Sequence, residues 1–279
     1  TYFIHKARDY AVLDYKTPYG LQGVQINAFE MSIVPSFLEA PARSLKIGDT
    51  IDNLEQHLLV KKSDLYDEKL KTYKTSVPLD DMSYELGRIR AFTPGWLERE
   101  SNFLHMTYKY LLGLLKGGLY DVFFEEIKTN LVCFMDPEVY GRSTLENSSF
   151  IASSLNPNPK VHGRGFVSRL SGSTAEMLSI WHMMMFGKSL FSYVDTLKFT
   201  PKPILNAEFF KDGRVVTQLL SKIEFIIENE TGYPTYSEKI DIDYYMVDGQ
   251  KFERVEGILA EAIRDRMVNQ VRMVYKKIA

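Results

Sequence analysis

From Val24 to Ile47 apolar residues recur at spacings that suit helices, with Pro35 and Pro41 marking points where a helix must kink or restart. Asp49 can cap a further helix that runs to about Leu59. The strongly apolar segment from Phe103 to Lys116 predicts a helix that Gly117 and Gly118 terminate, and Leu119 to Asn130 reads as its return partner in a helical hairpin. Ser173 and Glu176 have the S-x-x-E spacing of a capping box, which would launch a helix that Gly187 closes. Most of the chain before Gly187 is therefore expected to be helical. After about Ser189 the segments become short, β-branched or aromatic, and partly alternating: 192–199, 214–220, 222–229, 240–247 and 269–278 predict strands. Asp212-Gly213 and Asp248-Gly249 are turn signals among them, and Val255 to Arg266 predicts a short helix in the sheet connections.

Composition narrows the class. Hydrophobic residues at 45% and charged residues at 25% of 279 positions describe a globular chain, not a disordered one. The 34 Lys and Arg against 36 Asp and Glu give a net charge of −2, so no global basic field points to nucleic acid or an anionic membrane. The longest apolar runs fall far short of the roughly 20 residues of a membrane span. The chain opens at Thr1 with no charged and apolar leader after it, which fits a processed or truncated product, and a cytoplasmic location is the expectation. A single cysteine, Cys133, excludes an internal disulfide and a multi-cysteine zinc site, and its apolar neighbours suggest a small core hydrophobe.

Three segments carry candidate chemistry. Ser171, Gly172 and Ser173 stand immediately before a capped helix, where free N–H groups and the helix dipole favour an anion such as phosphate, with Arg164 and Arg169 nearby in sequence. The glycines of this passage, Gly163, Gly165 and Gly172, equally suit a tight turn and close packing. His105, in the first turns of an apolar helix, can donate a charge-assisted hydrogen bond to an oxyanion or can simply be a satisfied helix residue. The loop from Phe92 to Phe103 places Trp96 beside Glu98, Arg99 and Glu100, a composition that stacks on a pyranose and hydrogen-bonds its hydroxyls, or that fills a turn. Asp136 and Glu138 offer two carboxylates at a turn, but a glycosidase pair needs a set separation in space. No two histidines have metal-binding spacing, and no Walker loop or G-x-S-x-G elbow occurs, so no metal and no cofactor are expected.

Two anchors give the chain a resemblance to a known family: Pro94-Gly95-Trp96-Leu97-Glu98 with His105 seven residues after Glu98, and Gly163-Arg164-Gly165 leading to Leu170-Ser171-Gly172. Their order and local spacing resemble the C-terminal part of the cellobiose and chitobiose phosphorylase family, and the wording is closest to the bacterial β-1,3-oligoglucan phosphorylases. These are inverting enzymes. The resemblance runs from about Gly87 to Pro203 and more weakly beyond. It implies the C-terminal part of an (α/α)6 barrel over residues 1–190, followed by an antiparallel, jelly-roll-like β domain over 191–279. It also implies that His105, the Ser171 hydroxyl and the Gly172 N–H hold inorganic phosphate, the co-substrate, and that Glu98 binds sugar hydroxyls. Phe92 stands where the family has a Tyr in the sugar-site wall, and Trp96 lies in the same sugar loop. Ser171 replaces the usual Thr, and Leu97 replaces a Lys common in cellobiose-acting members, which argues against cellobiose itself. The family's phosphate-site Gln has no assigned counterpart, and its Trp-Asn-Asp motif, which carries the general acid, does not occur in this chain.

The activity that this resemblance implies is phosphorolysis of a β-gluco-oligosaccharide to α-glucose 1-phosphate, with the general acid and the rest of the barrel supplied by a longer parent chain or a partner chain. The alternative is a non-catalytic carbohydrate-binding or scaffold protein that keeps the fold without its acid.

Overall fold

The computed structural model describes residues 3–167 and 171–278. The chain begins with a long antiparallel hairpin, β1 (Phe3–Lys16) and β2 (Gln22–Ile33), closed by a turn in which the Leu21 N–H donates to Thr17 Oγ1 at 3.2 Å. Register pairs Phe3 with Ile33, His5 with Met31, Ala7 with Phe29, Tyr10 with Ile26 and Val12 with Val24, across two shifts between Ala7 and Tyr10. The helix expected to start at Val24 is therefore a strand. Val24 and Ile26, and then Phe29, Met31 and Ile33, recur at two-residue spacing on either side of the shift. That is the period of a pleated strand, which the nearby prolines disguised as an interrupted helix. These five side chains stay largely exposed.

Two helices come next, α1 (Glu39–Ser44) and α2 (Thr50–Lys62), the second capped by Asp49, whose carboxylate accepts from the Asp52 N–H at 2.9 Å. A small hairpin, β3 (Tyr66–Asp67) with β4 (Thr72–Tyr73), leads into a stretch held by turns up to residue 101. Strand β5 (Asn102–Phe103) then runs straight into α3 (Leu104–Lys116), and α4 (Tyr120–Asn130) returns beside it. This is the expected helical hairpin, turned at Gly117 and Gly118. Its apolar faces explain its place at the centre: Leu104, Tyr108, Leu111 and Leu115 of α3 have no exposed surface, each burial being worth about 1.5–3 kcal/mol. After α5 (Pro137–Tyr140), strands β6 (Phe150–Ile151) and β7 (Gly165–Phe166) join β5 in a three-stranded sheet, and α6 (Gly172–Phe186) packs on α3, which also meets α1 and α4.

The remaining strands are β8 (Phe191–Tyr193), β9 (Leu197–Phe199), β10 (Arg214–Leu219), β11 (Ile223–Glu228), β12 (Ile240–Val247) and β13 (Gln250–Phe252); α7 (Ile258–Arg264) and β14 (Gln270–Lys277) complete the chain. The main sheet has the order β10-β11-β14-β12-β13. Asp248-Gly249 is the two-residue turn between β12 and β13, whereas Asp212-Gly213 precedes β10 and the β10–β11 turn is the three residues Leu220, Ser221 and Lys222, the first two at positive φ. A continuous core links the helices to this sheet through Phe186, Phe199 and Phe225.

The expected architecture, a partial (α/α)6 barrel followed by an antiparallel jelly roll, is overturned. The chain opens with strands, and only α2, α3, α4 and α6 among the described helices reach eleven residues. Residues 63–101 form turns, two short strands and two single-turn 3-10 helices, Tyr84–Leu86 and Arg88–Ala91, where barrel helices were expected. The C-terminal sheet is mixed, because β11 and β14 run parallel.

Candidate functional site

The three two-residue strands explain how distant segments meet. In β5, β6 and β7 the register sets Phe103 opposite Phe150 and Phe150 opposite Phe166. Their rings form a continuous stack: Trp96 lies flat on Phe166 with centroids 3.6 Å apart, Phe166 is 5.5 Å from Phe150, and Phe150 is 4.5 Å from Phe103. Phe103 in turn meets the His105 imidazole edge-on at 5.8 Å. The two sequence anchors thus converge on one aromatic spine, which ends at His105.

His105 faces the N-terminal end of α6. A Cβ at Gly172 would stand 2.6 Å from His105 Nδ1, so only glycine lets the ring lie this close to the first turn of the helix. The other ring nitrogen, Nε2, is 3.7 Å from Glu176 Oε1. Burial and the Lys109 charge hold the imidazole below its ordinary value, against the opposing pull of Glu176 and Glu39. Ser171, the residue before α6, is exposed and its side chain makes no capping bond to the helix. The expected capping box is absent: Ser173 lies inside α6 and its hydroxyl donates to the Ser148 carbonyl at 3.3 Å, while Glu176 points to His105. The arrangement offers an anion the first N–H groups of a 15-residue helix, an exposed hydroxyl at its entrance and an imidazole alongside. Arg169 and Leu170 lie outside the described residues. Arg164 is drawn away from this point, donating from Nε to the Lys160 carbonyl at 3.2 Å.

Beside this end of α3 lies a cleft of about 470 Å3 lined in part by Glu39, Arg88, Glu98, Phe103 and Met106. Glu98 is half-buried there and pairs with Arg88 at 2.9 Å. Phe103 belongs to both the cleft and the aromatic spine, so it joins the Glu98 cleft to His105. The loop that carries Glu98 is built on a buried guanidinium. Arg99 binds Asp80 at 2.7 Å, Glu100 at 3.3 Å, and the carbonyls of Arg90 and Phe92 at 3.1 Å each. Burial raises the Glu100 carboxyl above its ordinary value, with Arg99 opposing. Gly95, at φ 72°, would drive a Cβ to 2.4 Å from the Asn156 nitrogen, so this turn also demands glycine.

The structure therefore brings His105, Gly172 and Ser171 to one helix end and places Glu98 in the neighbouring cleft. Trp96 has one face taken by Phe166, and Phe92 contributes its carbonyl to the Arg99 network. The residues missed in the sequence are Phe103 and Phe166, which connect the anchors, and Arg88 and Glu176, which pair with Glu98 and His105. Two-residue strands have no periodic signature, so only the shared occurrence of phenylalanine at 103, 150 and 166 could have suggested the spine. Asp136 caps α5 by accepting from the Glu138 N–H at 2.9 Å, which gives this carboxylate a structural role. Cys133 is exposed, contrary to the core position expected from its neighbours.

Among the described residues no group of three or more His, Cys, Asp or Glu is placed to hold a metal ion, and no helix is long and apolar enough to cross a membrane. No protein-family model and no curated protein matches the chain.

Proposed function

We propose that this chain carries the phosphate site and part of the sugar cleft of an inverting β-glucan or β-glucoside phosphorylase. The observation that carries the reading is the contact between His105 and Gly172, where an imidazole lies against the N-terminal turn of α6 so closely that a Cβ at Gly172 would stand 2.6 Å from its Nδ1. The resemblance of the two anchors to the cellobiose phosphorylase family supports the same assignment of His105, Ser171 and Gly172.

In the proposed reaction a phosphate oxygen attacks the anomeric carbon of a β-glucoside from the face opposite the leaving group. The glycosidic C–O bond breaks, its oxygen takes a proton from a general acid, and α-glucose 1-phosphate is released. An inverting hydrolase needs a second carboxylate to activate water, but phosphate is already an anion, so the site has to orient it and balance its charge. His105 would donate to one phosphate oxygen while Glu176 steadies the imidazolium, and Ser171 and the Gly172 N–H would bind others. Glu98, released from Arg88, would accept from sugar hydroxyls in the cleft beside Phe103, with Phe92 and Trp96 in the loop around it. The general acid would come from protein beyond these residues, in a longer parent chain or a partner chain.

The missing acid motif favours a second reading, a carbohydrate-binding or scaffold protein without catalysis. Release of glucose 1-phosphate from β-1,3- and β-1,4-gluco-oligosaccharides in the presence of phosphate tests the first reading. Activity that depends on both phosphate and His105 is expected when the chain is assayed together with the protein that supplies the general acid. Oligosaccharide binding with no phosphate binding and no release would establish the second.

A further inference from the structure

A second cavity, of about 640 Å3, opens at the far ends of the helices that carry His105 and Gly172. Lys116 is the last residue of α3, while Lys46 and Lys188 stand two residues beyond the ends of α1 and α6, and all three line this cavity with His182, Leu178 and Met183. Lys116 stands eleven positions after His105 on α3, a rise of about 16 Å at the usual helical step, so the cavity opens at the opposite end of α3 from His105.

The charge here is unbalanced. Among the described residues none of the three ammonium groups makes a hydrogen bond or an ion pair, and no carboxylate lines the cavity. Helix C-termini explain why each lysine is welcome at its position, but a full helix end supplies only about half a negative charge. Three lysines over three such ends leave a surplus of at least about one and a half positive charges. Burial holds the Lys46 ammonium below its ordinary value; Glu176 pulls the other way, and repulsion from Lys116, Lys109 and Arg43 adds to the lowering. The protein as a whole has a net charge of −2, so this concentration of cations is local.

We propose that this cavity binds an oligophosphate chain, free or carried by a nucleotide. Three cations from three separate elements, spread around a space far larger than one orthophosphate, suit charges distributed along a chain. The Lys46, Lys116 and Lys188 ammonium groups take the phosphates, His182 and Ser179 donate further hydrogen bonds, and Leu178 and Met183 add apolar lining.

Calorimetric titration of the full chain with inorganic tripolyphosphate, ATP and AMP tests this. Tripolyphosphate and ATP are expected to bind saturably at one site that depends on the lysines, with affinities within about tenfold of each other, and AMP at least about tenfold more weakly. Each single substitution, Lys46→Ala, Lys116→Ala or Lys188→Ala, should weaken tripolyphosphate about tenfold, the loss of one charge-assisted bond, and the triple substitution at least about a hundredfold. His105→Ala should leave tripolyphosphate affinity unchanged. Circular dichroism confirms folding of each variant, and Lys188→Glu alone provides the charge reversal if the triple variant does not fold. Absence of saturable tripolyphosphate binding, equal binding by the lysine variants, loss of binding in His105→Ala, or binding of ATP without tripolyphosphate would each overturn the proposal.

Discussion

The Trp96 indole lies parallel to the Phe166 ring, with an interplanar angle of 1° and centroids 3.6 Å apart, and this contact ties the Pro-Gly loop to strand β7. Trp96→Ala should destabilise the protein by about 2–3 kcal/mol from lost burial and stacking. A double-mutant cycle with Phe166→Ala should return a coupling of about 0.5–1.5 kcal/mol. Chemical denaturation of the four proteins measures it, and additivity would show that the stacked pair does not act as a unit.

Arg99 organises the same loop from beneath. Its guanidinium is buried and serves Asp80, Glu100 and two backbone carbonyls. Removing it leaves Glu100 buried without its partner, so Arg99→Ala should cost about 3–5 kcal/mol, while Asp80→Ala, which removes an exposed partner, should cost about 1 kcal/mol or less. Urea unfolding distinguishes the two, and equal costs would contradict the network described.

The stability of the fold should depend on pH through His57. This residue is 4% exposed, its Nδ1 is 3.0 Å from the Tyr110 hydroxyl, and burial holds its imidazole below the ordinary value of 6.5 despite Glu126 at 3.9 Å. Folding favours the neutral ring, so its contribution is complete above pH 6.5. It is lost as pH falls from there toward the folded-state value, because the unfolded chain takes up the proton first, at up to about 1.4 kcal/mol per pH unit. His105 is shifted the same way and adds to the trend. Denaturation between pH 8 and 5 should show a flatter profile for His57→Gln than for the native protein. An identical slope would remove His57 from the account.

Much of the helical hairpin was legible because α3 and α4 have an amphipathic period and an unmistakable Gly117-Gly118 stop, and most C-terminal strands were legible from short β-branched runs. The parallel pairing of β11 with β14 was not, since alternation does not say which strands become neighbours. The β1–β2 hairpin escaped because its register shifts between Ala7 and Tyr10 break strict alternation, leaving spacings that also suit a helix. At the site, the anchors named His105, Gly172 and Glu98, but their partners Glu176 and Arg88 come from other elements. Only the folded chain shows them.

Gly172 is the position at which a single methyl group should separate packing from binding. In Gly172→Ala the new Cβ would meet the His105 ring at 2.6 Å, and the ring or the helix end must shift. A loss of about 1–3 kcal/mol in stability is expected, together with loss of phosphate-dependent thermal stabilisation. Differential scanning calorimetry with and without phosphate reads both effects. A stable variant that still responds to phosphate would place the anion elsewhere.

The most direct measurement is a calorimetric titration of inorganic phosphate into the native chain, into His105→Ala and into the variant lacking Lys46, Lys116 and Lys188 side chains. The account predicts a phosphate site that survives in the lysine variant and weakens about tenfold or more in His105→Ala. Phosphate binding of equal strength in the native chain and His105→Ala, or none in the native chain, would contradict it.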